Sequence, residues 1–295
     1  MTENGFRTGP ARDVPPPRPV PPPVSAVPLE DTGLGRAARA VADAVAGLIG
    51  PAGDGGPSSS AATGLRDVIG AVAGAVGGAF APGRADEPVP PPAAGDRSPG
   101  ALLGDLLTAA APRLPIRDAE RLRQAHPGAS DDEIVQALVA RAARVTTGIG
   151  AAAGGLSAAS WFAPQSLLAL PLELGAETVL IAGVEIVLVG ELHELHGRPA
   201  RGDARARAAA YLARWSAQRS VEGAGVAGVG SLLSSAGVRT LRRRLTRRLA
   251  RTVPGAAPFL IGAALAGRSN RRATGTLAEQ VLTDLRAARR GGTDS

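Results

Sequence analysis

The chain contains no cysteine, which excludes a disulfide framework, a thiolate metal site and a cysteine nucleophile. It contains no lysine either, so a phosphate-cradling P-loop, which needs one, cannot be built, and all 33 basic residues are Arg. Aromatic residues make up only 2% of the chain, which leaves little with which to stack nucleic-acid bases. No G-x-S-x-G elbow is present for a serine hydrolase. No segment alternates apolar and polar residues with β-branched enrichment, so strands are not expected. From Met1 to Val20 there is no apolar core behind a basic start, and no secretory signal is expected.

What is present is Ala, Gly, Pro, Val and Arg in abundance, the signature of a GC-rich bacterial genome. Part of the Arg excess is therefore codon usage. The 295 residues carry a net charge of +7, compatible with anionic lipid or nucleic acid as a partner. Of the 25 prolines, a group at Pro15–Pro17, Pro19 and Pro21–Pro23 makes the first residues polyproline-like or disordered. A second Pro/Gly-rich stretch runs from Pro82 to Gly100. Neither buries enough apolar surface to offset the entropy of ordering.

Between them lies a short internal repeat. Arg39–Gly50 aligns with Arg66–Gly77, and Ala-Val-Ala-Gly recurs in place. Each copy reads as a short helix, and in the second Gly70, Gly74 and Gly78 share one face, a spacing that allows close helix approach. The expected organisation is a Pro/Gly-rich disordered arm over 1–112 with short helices near 36–50, 65–80 and 101–111. A helical domain follows over 113–290, then a tail over 291–295.

Within that domain, Ile116 to Gln124 reads as a short helix broken by His126-Pro127-Gly128. Ser130 and Glu133 form a capping box ahead of the periodic apolar residues Ile134, Leu138 and Ala142. From Thr146 to Leu172 no residue is charged, a length sufficient to span a bilayer. Pro164 and Pro171 interrupt it, and two shorter helices, Thr146–Ser160 and Gln165–Leu172, fit better. Gly150 and Gly154 fall on one face of the first. Leu174 to His196 is the most apolar segment, yet it carries Glu173, Glu177 and Glu185 on roughly one face at its start and middle, and Glu191 beyond. Each carboxylate would cost ~2.5–3.5 kcal/mol in lipid on the insertion scale, so a buried core helix with an acidic stripe is expected. Further helices are expected at Arg205–Arg219, Val238–Val253, Pro258–Gly267 and Asn270–Arg290, with Ala224/Gly228 and Gly262/Ala266 as small-residue pairs. The fold class is all-α, a helical bundle packed through Gly/Ala-rich faces.

From Leu122 onward the order of features resembles the EcsC family in its actinobacterial form. The residues that carry the resemblance are Ala125-His126-Pro127-Gly128-Ala129-Ser130 leading to Ala137–Arg144, and the Gly/Ala run Gly148–Gly155. To these are added the apolar helix ending Glu194-Leu195-His196-Gly197, Pro258–Gly262 and Asn270–Thr274. Ala163-Pro164-Gln165-Ser166 departs from the proline-glycine turn of the pattern. The family takes its name from an ABC-transporter operon. The resemblance implies no biochemical activity and is consistent with association with the cytoplasmic membrane.

Two clusters bear on chemistry. His193 and His196 lie three apart with Glu191 and Glu194 beside them, whereas a zincin needs two His four apart. Capping of the negative helix end before Gly197 is the favoured reading, and a metal-dependent hydrolase using His193 and His196 is the alternative. The second cluster is Arg239, Arg242, Arg243, Arg244, Arg247, Arg248 and Arg251, with Val238, Leu241, Leu245 and Leu249 as its apolar edge. It reads as a solvated basic face or as a surface for anionic lipid. Nucleic acid is the third reading, without the aromatics or motif that would favour it. The functional expectation is a non-enzymatic, membrane-associated accessory or scaffold protein at the cytoplasmic face of the cell membrane, peripheral rather than integral, with a cytoplasmic location as the alternative. Its expected partners are a membrane surface, a membrane protein complex or further copies of itself. No cofactor and no small-molecule ligand are expected.

Overall fold

The computed structural model describes residues 32–50, 56–80, 99–160, 170–221 and 257–291. They form eight α-helices, in chain order α1 Gly33–Ile49, α2 Gly56–Phe80, α3 Pro99–Ala110, α4 Ala119–Gln124, α5 Asp131–Ser160, α6 Leu170–Leu195, α7 Ala204–Val221 and α8 Ala257–Gly291. A 3₁₀ turn, Ala111–Arg113, follows α3. There is no strand among the described residues, and the all-α bundle follows the apolar periodicity of the sequence.

Local chemistry starts and stops these helices. The Thr32 hydroxyl accepts from Gly35 N–H at 3.0 Å to open α1, and the Asp118 carboxylate accepts from Arg121 N–H at 2.8 Å to open α4. At α5 the expected capping box is complete. Glu133 N–H donates to Ser130 Oγ at 3.3 Å, while Glu133 Oε2 accepts from the Ser130 backbone N–H at 2.7 Å and from its hydroxyl at 2.8 Å. Asp203 caps α7 through Ala206 N–H at 2.8 Å, so Arg201-Gly202-Asp203 is a helix-opening loop. The end of α6 is a Schellman turn. Arg198 N–H donates to His193 C=O at 2.9 Å and Gly197 N–H to Glu194 C=O at 3.1 Å, with Gly197 at φ 68°, a conformation that glycine adopts without strain.

The core is organised around α6, which touches every other described helix. Its buried residues, including Ala176, Val179, Leu180, Val184, Ile186, Leu188 and Leu192, cover the whole circumference, as expected of a helix enclosed on all sides. Two glycines let neighbours approach it. A Cβ at Gly183 would lie 2.7 Å from Val45 Cγ2, and one at Gly190 would lie 2.7 Å from Ile116 Cγ2 and 3.3 Å from Tyr211 Cδ2.

Several expectations are corrected. The boundary at 112/113 does not divide the core. Ala37, Ala38, Val41 and Val45 of α1, Ala61, Leu65 and Val68 of α2, and Leu103, Leu106 and Leu107 of α3 join α5, α6 and α8 in one apolar cluster. Their 3- and 4-residue spacing gives each helix an apolar face, and α6 supplies the surface that buries it. The first residues of the arm, 1–31, and the Pro/Gly-rich stretch 81–98 lie outside the described residues. The periodic run Ile134–Ala142 and the expected helix Thr146–Ser160 are one helix, α5, because no proline or other breaker separates them. The expected interruption at Pro164 lies outside the described residues. The two expected C-terminal helices are one, α8, since Arg268-Ser269 carries no breaker.

The small-residue faces divide. Gly150 of α5 meets Ala266 of α8, where a Cβ would lie 3.1 Å from the Ala266 carbonyl carbon and would collide with Asn270 Nδ2. One at Gly267 would lie 3.0 Å from Thr147. Gly154 is half-buried farther along α5. Gly70 and Gly74, by contrast, are exposed with open space where a Cβ would stand, because α2 turns Ala61, Leu65 and Val68 inward instead. Gly78 lies in α2 and Gly262 in α8. Ala224 and Gly228 lie outside the described residues.

Candidate functional site

The residues with most chemistry are the carboxylates of α6, and the helix carries them inside the bundle. Glu173, Glu185, Glu191 and Glu194 are all buried. A buried carboxylate must be paired or neutralised. Helices α5, α7 and α8, with Arg117 ahead of α4, supply partners.

Glu191 is gripped by two guanidinium groups. Arg117 donates from Nε at 2.6 Å and Nη2 at 3.2 Å, and Arg141 of α5 donates from Nη2 at 2.8 Å. Burial lowers the Arg141 pKa, and the Glu191 charge opposes that fall. Six residues earlier, Glu185 receives four donors. Arg219 of α7 makes a two-pronged ion pair through Nε, at 3.0 Å, and Nη2. Trp215 Nε1 adds a bond at 2.9 Å and Thr274 of α8 one at 3.0 Å. Thr146 of α5 lies 3.0 Å from Thr274 and extends the network to a fourth helix.

Glu194 takes a proton-bearing phenol and a cation on one oxygen, Tyr211 Oη at 2.6 Å and Arg207 Nη2 at 2.5 Å. Burial pushes the Tyr211 phenol up, which keeps it a donor, and its oxygen also accepts from Ala200 N–H at 3.0 Å. Glu177 is answered by an amide, Asn270 Nδ2 at 3.1 Å. Burial therefore raises the Glu177 pKa, with Asn270 working against it.

His193 and His196, the alternative metal pair of the sequence, each bond a carbonyl four residues back on α6. His193 Nδ1 stands 2.8 Å from Val189 C=O and His196 Nδ1 2.9 Å from Leu192 C=O, and a carbonyl partner requires the proton on Nδ1. Burial, with Arg214, His196 and Arg198 nearby, pushes the His193 pKa down against its carbonyl bond. Among the described residues no three imidazole or carboxylate groups are placed to hold a metal ion. The seven arginines from Arg239 to Arg251 lie outside the described residues.

The sequence points to the acids of α6 but not to their partners. Glu194 reads there as the neighbour of a histidine, and Arg117, Arg141 and Arg219 read as ordinary helix charges. The available signal is a demand for partners, since an acid in so apolar a run needs a cation from elsewhere in the chain. Chemically the arrangement is a set of interhelical clamps, with carboxylate lone pairs occupied by donors from α5, α7 and α8.

No protein-family model, no curated protein and no solved structure matches this chain. Among the described residues no helix is long and apolar enough to cross a membrane.

Proposed function

We propose that the protein is a non-enzymatic accessory or scaffold protein that docks peripherally on the cytoplasmic face of the cell membrane through the Arg239–Arg251 segment. The observation that carries this reading is the juxtaposition of seven arginines with an apolar edge at Val238, Leu241, Leu245 and Leu249. Such a segment lays its apolar side into the headgroup boundary and its cations among anionic lipids, each cation contributing about 1 kcal/mol near the surface. The clamped carboxylates of α6 support a structural role for the most polar part of the core. The resemblance to the EcsC family is in keeping with this reading.

The test is co-sedimentation of the full-length protein with vesicles containing an anionic phospholipid at low salt. Wild type is expected in the pellet. The variant carrying Arg242→Gln, Arg243→Gln, Arg247→Gln and Arg248→Gln is expected in the supernatant. Wild type left in the supernatant would refute the proposal. In its own cells the protein is expected in the membrane fraction and should be released by carbonate without detergent.

A further inference from the structure

A cleft of about 770 Å³ opens where the end of α6, the following loop, α7 and α8 meet. Its lining includes His193, Arg198, Arg201, Arg214, Asp284 and Leu285. Three guanidinium groups and one carboxylate give the lining an excess of positive charge. Arg198 and Arg201 stand exposed on the loop that the Schellman turn throws out of α6, and neither is ion-paired with an acid among the described residues. Asp284 Oδ2 accepts from Gln218 Nε2 at 2.5 Å, and its single negative charge offsets only part of the positive charge of the three guanidinium groups.

Arg214 supplies the second, independent observation. Its guanidinium carbon sits 5.6 Å from the centroid of the Tyr211 ring, which holds it in one orientation. Its Nη1 is buried and has no hydrogen-bond partner among the described residues. An unsatisfied cationic donor is costly, and Arg214, which lines the cleft, would gain a partner for its guanidinium from an anion there after a small shift of the side chain. The guanidinium fork matches the oxygens of a phosphate in shape and charge better than a point charge does.

We propose that this cleft is a phosphate-binding site, taking the phosphate of a small molecule or of a phospholipid headgroup between Arg198, Arg201 and Arg214. This departs from the sequence-based expectation of no small-molecule ligand. It does not depend on the Arg239–Arg251 segment, so the two proposals fail separately.

The test is calorimetric titration of the full-length protein with inorganic pyrophosphate. Saturable binding is expected, weakened about tenfold by Arg198→Gln and further by Arg198→Gln with Arg201→Gln. Both side chains are exposed, so these variants should keep the helical circular dichroism of the wild type. The Arg242→Gln, Arg243→Gln variant should bind as wild type does. Displacement of pyrophosphate by phosphatidic acid vesicles identifies a headgroup as the source, and displacement by soluble phosphate esters alone identifies a small molecule. The proposal is overturned if millimolar pyrophosphate does not bind. It is equally overturned if the double cleft variant binds unchanged, or if affinity falls in the Arg242/Arg243 variant instead.

Discussion

At the residue scale the molecule is governed by acids placed where water does not reach. Glu185 is 1% exposed and its main partner Arg219 is 6% exposed, so neutralising one strands the other. Glu185→Gln is expected to cost ~3–5 kcal/mol, the usual penalty for breaking a buried pair from one side, measurable as a fall in the urea midpoint. Glu177 behaves oppositely, because no cation among the described residues answers it and burial raises its pKa. A carboxyl whose folded pKa lies above its unfolded value favours the folded state only while protonated. Its contribution is whole below the unfolded pKa and is lost as pH rises towards the folded one. Glu177→Gln should therefore raise the melting temperature relative to wild type, by more at pH 8 than at pH 4. An equal shift at both would show that Glu177 does not titrate differently on folding. The acids themselves are visible in the sequence as interruptions of an apolar run. Their partners are not, because Arg117, Arg141 and Arg219 lie far along the chain and nothing local distinguishes them from solvated arginines.

At the scale of elements, glycine has two meanings in this protein, and only packing separates them. At Gly150 an added methyl group would press on Ala266 and Asn270, and Gly150→Ala is expected to destabilise by ~1–3 kcal/mol through overpacking. At Gly70 and Gly74 the same change meets open space, and each substitution is expected to stabilise by ~0.5–1 kcal/mol through helix propensity. Thermal denaturation of the three single variants checks the signs. The sequence shows four-residue glycine spacing in both α2 and α5, and spacing alone does not say which face turns inward. Features decided within a few residues were legible: the Ser130/Glu133 box and the glycine stop at Gly197. The continuity of α8 was not, since Gly267 resembles a break in the sequence and in the fold fits against Thr147.

For the whole molecule, the N-terminal helices belong to the core rather than to an arm. Val45 fills the notch at Gly183, and Leu103 of α3 lies 3.6 Å from the position of a Cβ on Gly175. A fragment beginning at residue 113 would leave those surfaces of α6 in water. It is expected to keep helical circular dichroism but to bind a hydrophobic dye and to lose a cooperative melt. A sharp melt like that of the full chain would show that 113–295 is autonomous. This docking is hard to read from the sequence because Pro/Gly-rich stretches separate the helices from their partner, and their Ala-rich faces are small. Because α6 touches every other described helix, no part of the bundle can detach without uncovering it. Amide hydrogens of α6 should accordingly exchange only when the entire protein opens. Their exchange free energies would then form a single plateau equal to the global stability, with the ends of the outer helices ranged below it.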